Sequence, residues 1–239
     1  MVPEHITLGA FWVCTGLSLI LLMRGQENDR FAAIMVFLIA LFQLLEFGVW
    51  NNLSCDPGGS NNKASRLSYA HIWFLPAFLC LSAYFFAKDV IGDFAGRNLL
   101  LGIGFAHTIL ALALMPIMWK DKTTWCTQPG DNWIPEWWYM RGISPLQPNS
   151  MLLVGILAPL LLVDPALLGL GTLSIITGSF LTGRSADKLM KGEWLSVMAL
   201  LSNGVGFWAL LVPPLRSLLF GAPEPIRIPI AQPLPTPIS

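Results

Sequence analysis

The sequence predicts an all-α bundle that spans a lipid bilayer, and three observations point to it. Charged residues make up 12% of the 239 positions and apolar ones 54%, against about 25% charged in ordinary soluble domains. Mean hydropathy is +0.62. The apolar residues also gather into uncharged runs long enough to cross about 30 Å of hydrocarbon at about 1.5 Å per residue. Seven such spans are expected within residues 1–221, with six as the alternative count.

Residues 6–23 form the first expected span. They carry no charge, exceed a usual signal core and meet no small-residue cleavage site before Arg24, so they are expected to remain in the chain. A short charged turn, MRGQENDR, leads into residues 31–50, FAAIMVFLIALFQLLEFGVW, whose polar side chains are Gln43 and Glu46. These two lie three apart and share a helix face. A loop rich in Asn, Gly and Ser follows, then a third span at residues 67–87 with His71 near its start and Pro76 as a kink. Residues 98–119 give the fourth span, with His107 near its middle.

Residues 120–150 form the longest break. Their Trp125, Trp133, Trp137 and Trp138 predict a segment lying along the water–lipid boundary, which indole rings favour. The Asp164-Pro165 step divides the next apolar run into spans at residues 151–163 and 166–183, the first of which is short enough to be a re-entrant piece. Residues 194–215 are the last span, with Asn203 at mid-depth, and a Pro-rich extended tail occupies residues 222–239.

Cysteine placement speaks to orientation. Cys55 and Cys126 lie in loops separated by two spans and therefore on one face, whereas Cys14 and Cys80 fall within helices. A Cys55–Cys126 disulfide would make that face extracellular, lumenal or periplasmic. Two loop thiols in a reducing compartment would look the same in sequence. The Lys and Arg count runs the other way, six on the opposite face and eight on this one, so the positive-inside rule does not support that orientation.

The chemistry suggested by these residues centres on Glu46. A carboxyl group in a span costs roughly 2.5 kcal/mol or more unless paired, hydrated or protonated. His71, four residues into the expected third span, is predicted at similar depth, so Gln43, Glu46 and His71 read either as a proton, ion or ligand relay or as a packing cluster of hydrogen bonds. His107 and Asn203 read as interhelical hydrogen-bonding residues. Bis-histidine haem is disfavoured by a depth mismatch of about 10 Å between His71 and His107. No lysine lies within a span for a retinal Schiff base, and no Cys/His spacing suits zinc, so neither cofactor nor metal is expected. Zero net charge without a basic run argues against nucleic acid.

FQLLEFGVW, then Cys55, NNKAS and a helix carrying FLP, together resemble an uncharacterised family of multi-span membrane proteins of giant viruses and protists. The matching positions are Gln43, Glu46, Cys55, Asn61 or Asn62, and Pro76, with Leu75 where that family often has a polar residue. The resemblance covers about the first third of the chain and implies a seven-helix architecture.

Function is expected to be non-enzymatic, namely binding or assembly, with membrane lipids and protein partners or further copies of the chain as company. A channel or transporter built on Gln43, Glu46 and His71 is the alternative. A lipid-modifying enzyme comes last, because the three histidines are scattered and supply no metal or nucleophile set.

Overall fold

Gly25 sets the first hairpin. Helix α1 (Glu4–Arg24) stops where Gly25 adopts φ 63°, a left-handed conformation open to glycine, and its N–H donates to the Leu21 carbonyl at 3.0 Å. The chain then turns into α2 (Asp29–Trp50). Arg24 grips the turn with two parallel bonds to Asp29, Nε to Oδ2 at 2.8 Å and Nη2 to Oδ1 at 2.6 Å. Asp29 is buried, so its charge requires this fork-to-fork partner.

The computed structural model describes residues 4–26, 28–88, 90–116, 125–129, 135–137, 155–163, 197, 199, 203–211 and 214. Helices α3 (Ser60–Phe86) and α4 (Phe94–Leu114) complete a set of four that are long and apolar enough to cross a membrane. Residues 155–162 and 203–211 are also helical. The expected span at residues 166–183, Trp133 and Trp138 of the long break, and the tail at 222–239 lie outside the described residues.

The sequence places the starts of the first, second and fourth spans within four residues of the helices found, and the end of the fourth within five. α3 is the exception, since it begins at Ser60, seven residues ahead of the expected span. Its opening turns, SNNKASR, are polar because they face another part of the protein. Pro76 sits inside α3 and is buried there.

Helix–helix contacts fix which way each piece runs. α1 to α4 alternate, with the turn at Arg24 and the turn between α3 and α4 at one end, and Cys55 at the other. Asn28 joins the two turns by accepting from the Lys88 N–H at 2.9 Å. Arg97 closes the α3 C-terminus, donating to the carbonyls of Tyr84 at 2.8 Å, Ala87 at 3.0 Å and Lys88 at 3.1 Å, where a helix leaves carbonyls unsatisfied.

Gly155 lies beside Pro76 and His107, and its carbonyl accepts from Cys80 Sγ at 3.5 Å. At the other end of that piece, Leu162 accepts from the Ile91 N–H at 2.7 Å. Residues 155–163 therefore run toward the Arg24 end. So do residues 203–211, because Asn203 meets Cys14 at 3.2 Å, Gly206 abuts Leu17, and the carbonyls of Ala209 and Leu210 accept from Arg24 at 2.8 and 2.7 Å.

Two glycines test this packing. A Cβ on Gly155 would collide with Pro76 and come within 2.7 Å of His107 Nε2, whereas one on Gly102 would meet nothing within 4 Å. Gly155→Ala is expected to cost about 1–3 kcal/mol and lower the thermal unfolding midpoint in detergent micelles. Gly102→Ala is expected to leave the midpoint in place, so equal midpoints for the two variants would contradict the packing described.

Candidate functional site

The disulfide end is built on the first two turns of α3. Asn61 and Ser65 lie four apart on one face, with Asn62 beside them, and all three are buried. They receive a segment from far along the chain. Asn61 Nδ2 donates to the Thr127 carbonyl at 2.8 Å while the Thr127 N–H donates to Asn61 Oδ1 at 3.0 Å, so the side-chain amide pairs with the peptide as a neighbouring strand would. Asn62 Nδ2 donates to the Trp125 carbonyl at 3.0 Å, and the hydroxyls of Ser65 and Thr127 lie 2.6 Å apart. Beyond Thr127, Gln128 and Pro129 (β1) pair antiparallel with Pro135 and Glu136 (β2).

A covalent tie reinforces these bonds. Cys55 and Cys126 form a disulfide across 71 positions with their Cα atoms 5.3 Å apart. For a free chain, closing a loop of that length would be worth about 4 kcal/mol, and less here because two helices already restrict the intervening chain. Such a bridge suits a non-reducing compartment.

Trp125 and Trp137 are both buried within the protein, at 1% and 0% exposure. Trp125 packs edge-on against Tyr69 with ring centres 5.1 Å apart, and Trp137 packs edge-on against Phe42 at 4.7 Å. Both rings thereby join the core formed with the helices, and bind the tethered segment to α3 and α2.

Glu46 lies close to this cap, four residues from the end of α2 and one turn from Phe42. It is 3% exposed and accepts from Gln43 Nε2 at 3.4 Å, while Gln43 is 1% exposed. These two predicted residues therefore meet. His71 does not join them: among the described residues no hydrogen bond or ion pair links it to Glu46. Its ring faces Phe42, 6.0 Å away. The reason is the early start of α3, which puts His71 eleven residues into the helix, about 16 Å from its start, whereas Glu46 stands about 6 Å from the end of α2. The expectation of equal depth for Glu46 and His71 is corrected accordingly. Nε2 of His71 is buried with no hydrogen-bond partner among the described residues.

Asn203 and His107 sit apart from this group. Asn203 Oδ1 accepts from Cys14 Sγ at 3.2 Å, an interhelical bond of the kind its position suggests. His107 is buried against the passage containing Gly155, and its Nδ1 lacks a partner among the described residues. No group of three or more His, Cys, Asp or Glu suited to a metal is present among the described residues.

Ser65 and Thr127 are the site residues that sequence reasoning did not single out, and Asn61 and Asn62 entered it only through a family resemblance. Their signal was local: Asn61 and Ser65, four apart directly before an apolar run, mark one face of a helix start. Comparison with protein-family models, with curated proteins and with solved structures finds no match for this chain.

Asn61→Ala would orphan the buried N–H and carbonyl of Thr127, at about 1–3 kcal/mol for each unsatisfied group. The Cys55–Cys126 bridge is expected to be reduced faster by a phosphine in this variant than in the parent, as followed by thiol alkylation and gel mobility. An unchanged reduction rate would mean that the asparagine does not hold the segment down.

Proposed function

We propose that the chain is a non-enzymatic, multi-pass membrane protein of seven spans whose disulfide end serves binding or assembly. The seven-span reading is supported by direction: residues 155–163 and 203–211 both run from the disulfide end toward the Arg24 end, as the fifth and seventh spans of such a bundle must. The functional reading is carried by one observation. The polar side chains at that end are used to pin a folded segment in place, with Trp125 and Trp137 sealed beneath it, which builds a rigid, covalently braced surface.

Such a surface suits a protein partner or a second copy of the chain. Purification in mild detergent is expected to bring down a stoichiometric partner or a homo-oligomer, and mild reduction of the bridge is expected to release it. A chain that stays monomeric and alone through crosslinking in native membranes would refute the reading.

A second reading, proton or small-solute transport past Gln43, Glu46 and His71, draws on the buried Nε2 of His71, which lacks a hydrogen-bond partner among the described residues. Liposomes carrying the protein and a pH-sensitive dye test it. The assembly reading expects no proton flux above empty liposomes from either the parent or Glu46→Gln, whereas a flux that this substitution abolishes would favour transport.

A further inference from the structure

At the Arg24 end, the turns between α1 and α2 and between α3 and α4 enclose a cavity of about 330 Å³ lined by Arg30, Lys88 and Arg97 together with Phe85 and Phe86. No carboxylate among the described residues lines it. Arg97 is a fixed charge, since its N–H groups are taken up by the end of α3 and by Asp93, whose oxygen lies 3.1 Å from Nε. Arg30 and Lys88 are exposed and form no ion pair among the described residues. Among the described residues its lining includes three cations, of which Arg97 is paired with the carboxylate of Asp93.

The cavity continues into an apolar groove. Phe85 and Phe86 also line a cleft of about 280 Å³ between α2 and α3, with Ile34, Leu38, Phe78 and Leu81. From Phe86 to Phe78 the cleft follows α3 for eight residues, about 12 Å along the helix. Its walls are almost wholly apolar, and Phe78, Phe85 and Phe86 are exposed along it. A second apolar cleft of about 240 Å³ between α1 and α2 shares Ile34 and Leu38 with the first. Paired cations at the end of a membrane-length helix, opening directly onto hydrocarbon-lined clefts, match a molecule that is anionic at one end and doubly aliphatic at the other.

We infer that this is a binding site for an anionic phospholipid, with the headgroup phosphate held by Arg30 and Lys88 and an acyl chain lying in the cleft between Leu38 and Phe78. Charge complementarity selects the anionic headgroup, since a zwitterionic one would bring its own cation into a cavity that already holds three. The adjoining cleft selects a lipid over a free phosphate, which would leave those walls unused. Asp29, the nearest buried carboxylate along α2, is engaged by Arg24 and does not neutralise the site.

The test uses the full-length chain in dodecyl maltoside, with thermal unfolding followed by tryptophan fluorescence as dioleoyl-phosphatidylglycerol, dioleoyl-phosphatidylcholine or inorganic phosphate is added. Phosphatidylglycerol is expected to raise the midpoint more than phosphatidylcholine does. In the R30Q/K88Q double variant its half-saturating concentration is expected to rise about 25-fold, from about fivefold for each cation removed at a membrane surface. Leu38→Trp, which fills the cleft and leaves the cations in place, is expected to weaken the same lipid and keeps the test decisive if the double variant does not fold. Equal stabilisation by the two lipids, undiminished binding to both variants, or an equal effect of inorganic phosphate would each overturn the assignment.

Discussion

Hydrocarbon offers no hydrogen bond, so every polar group carried into the helical part of this chain must find its partner inside the protein. That constraint explains most of the specific contacts. Asp29 is met by Arg24, Glu46 by Gln43, Asn203 by Cys14, and the open carbonyls at the end of α3 by Arg97. The contacts fall into layers, one at each end of the bundle and one near the middle. Between them the core is aliphatic and aromatic, with Phe31, Met35, Leu79 and Leu100 fully enclosed. Polar pairs set register and direction, and the apolar core fills the space they leave.

The two ends solve the same problem differently. At the Arg24 end, long basic side chains reach across turns to backbone carbonyls, and Arg97 closes the C-terminus of α3, where the backbone dipole favours positive charge. At the disulfide end, short amides and hydroxyls on α3 bind backbone from another segment, and a covalent bond holds the result. The first arrangement sets basic side chains beside apolar clefts, while the second ties an aromatic-bearing segment onto α2 and α3. The lipid site proposed for one end and the partner surface proposed for the other rest on that difference in construction.

Much of this was legible in the sequence, wherever the signal was local. Uncharged runs located α1, α2 and α4 because hydropathy reports directly on contact with hydrocarbon. Loop placement brought Cys55 and Cys126 to one face. The start of α3 was hidden, since SNNKASR looks like a loop until its partners at Trp125 and Thr127 are known, and those lie more than sixty positions away. A seven-residue error in that start moved His71 by about 10 Å and paired it on paper with a carboxylate it does not touch. Trp125 and Trp137 pack against Tyr69 of α3 and Phe42 of α2, contacts that the preference of indole for the membrane boundary does not reveal. Gln43 and Glu46 meet because their spacing lies within one helix.

Arg24 links the opening helix to carbonyls 185 and 186 positions later in the chain. At translation rates of about 5–20 residues per second, those acceptors emerge about 10 to 40 s after the guanidinium does. Through that interval the hairpin has Asp29 to hold it but lacks the two carbonyls that Arg24 also reaches, so the helix at residues 203–211 acts as a clasp on a turn made much earlier in the chain. A nascent chain cut short before residue 209 would keep the Arg24–Asp29 pair and lack the carbonyls of Ala209 and Leu210, so its first turn would stand without the tie that joins it to the distant helix.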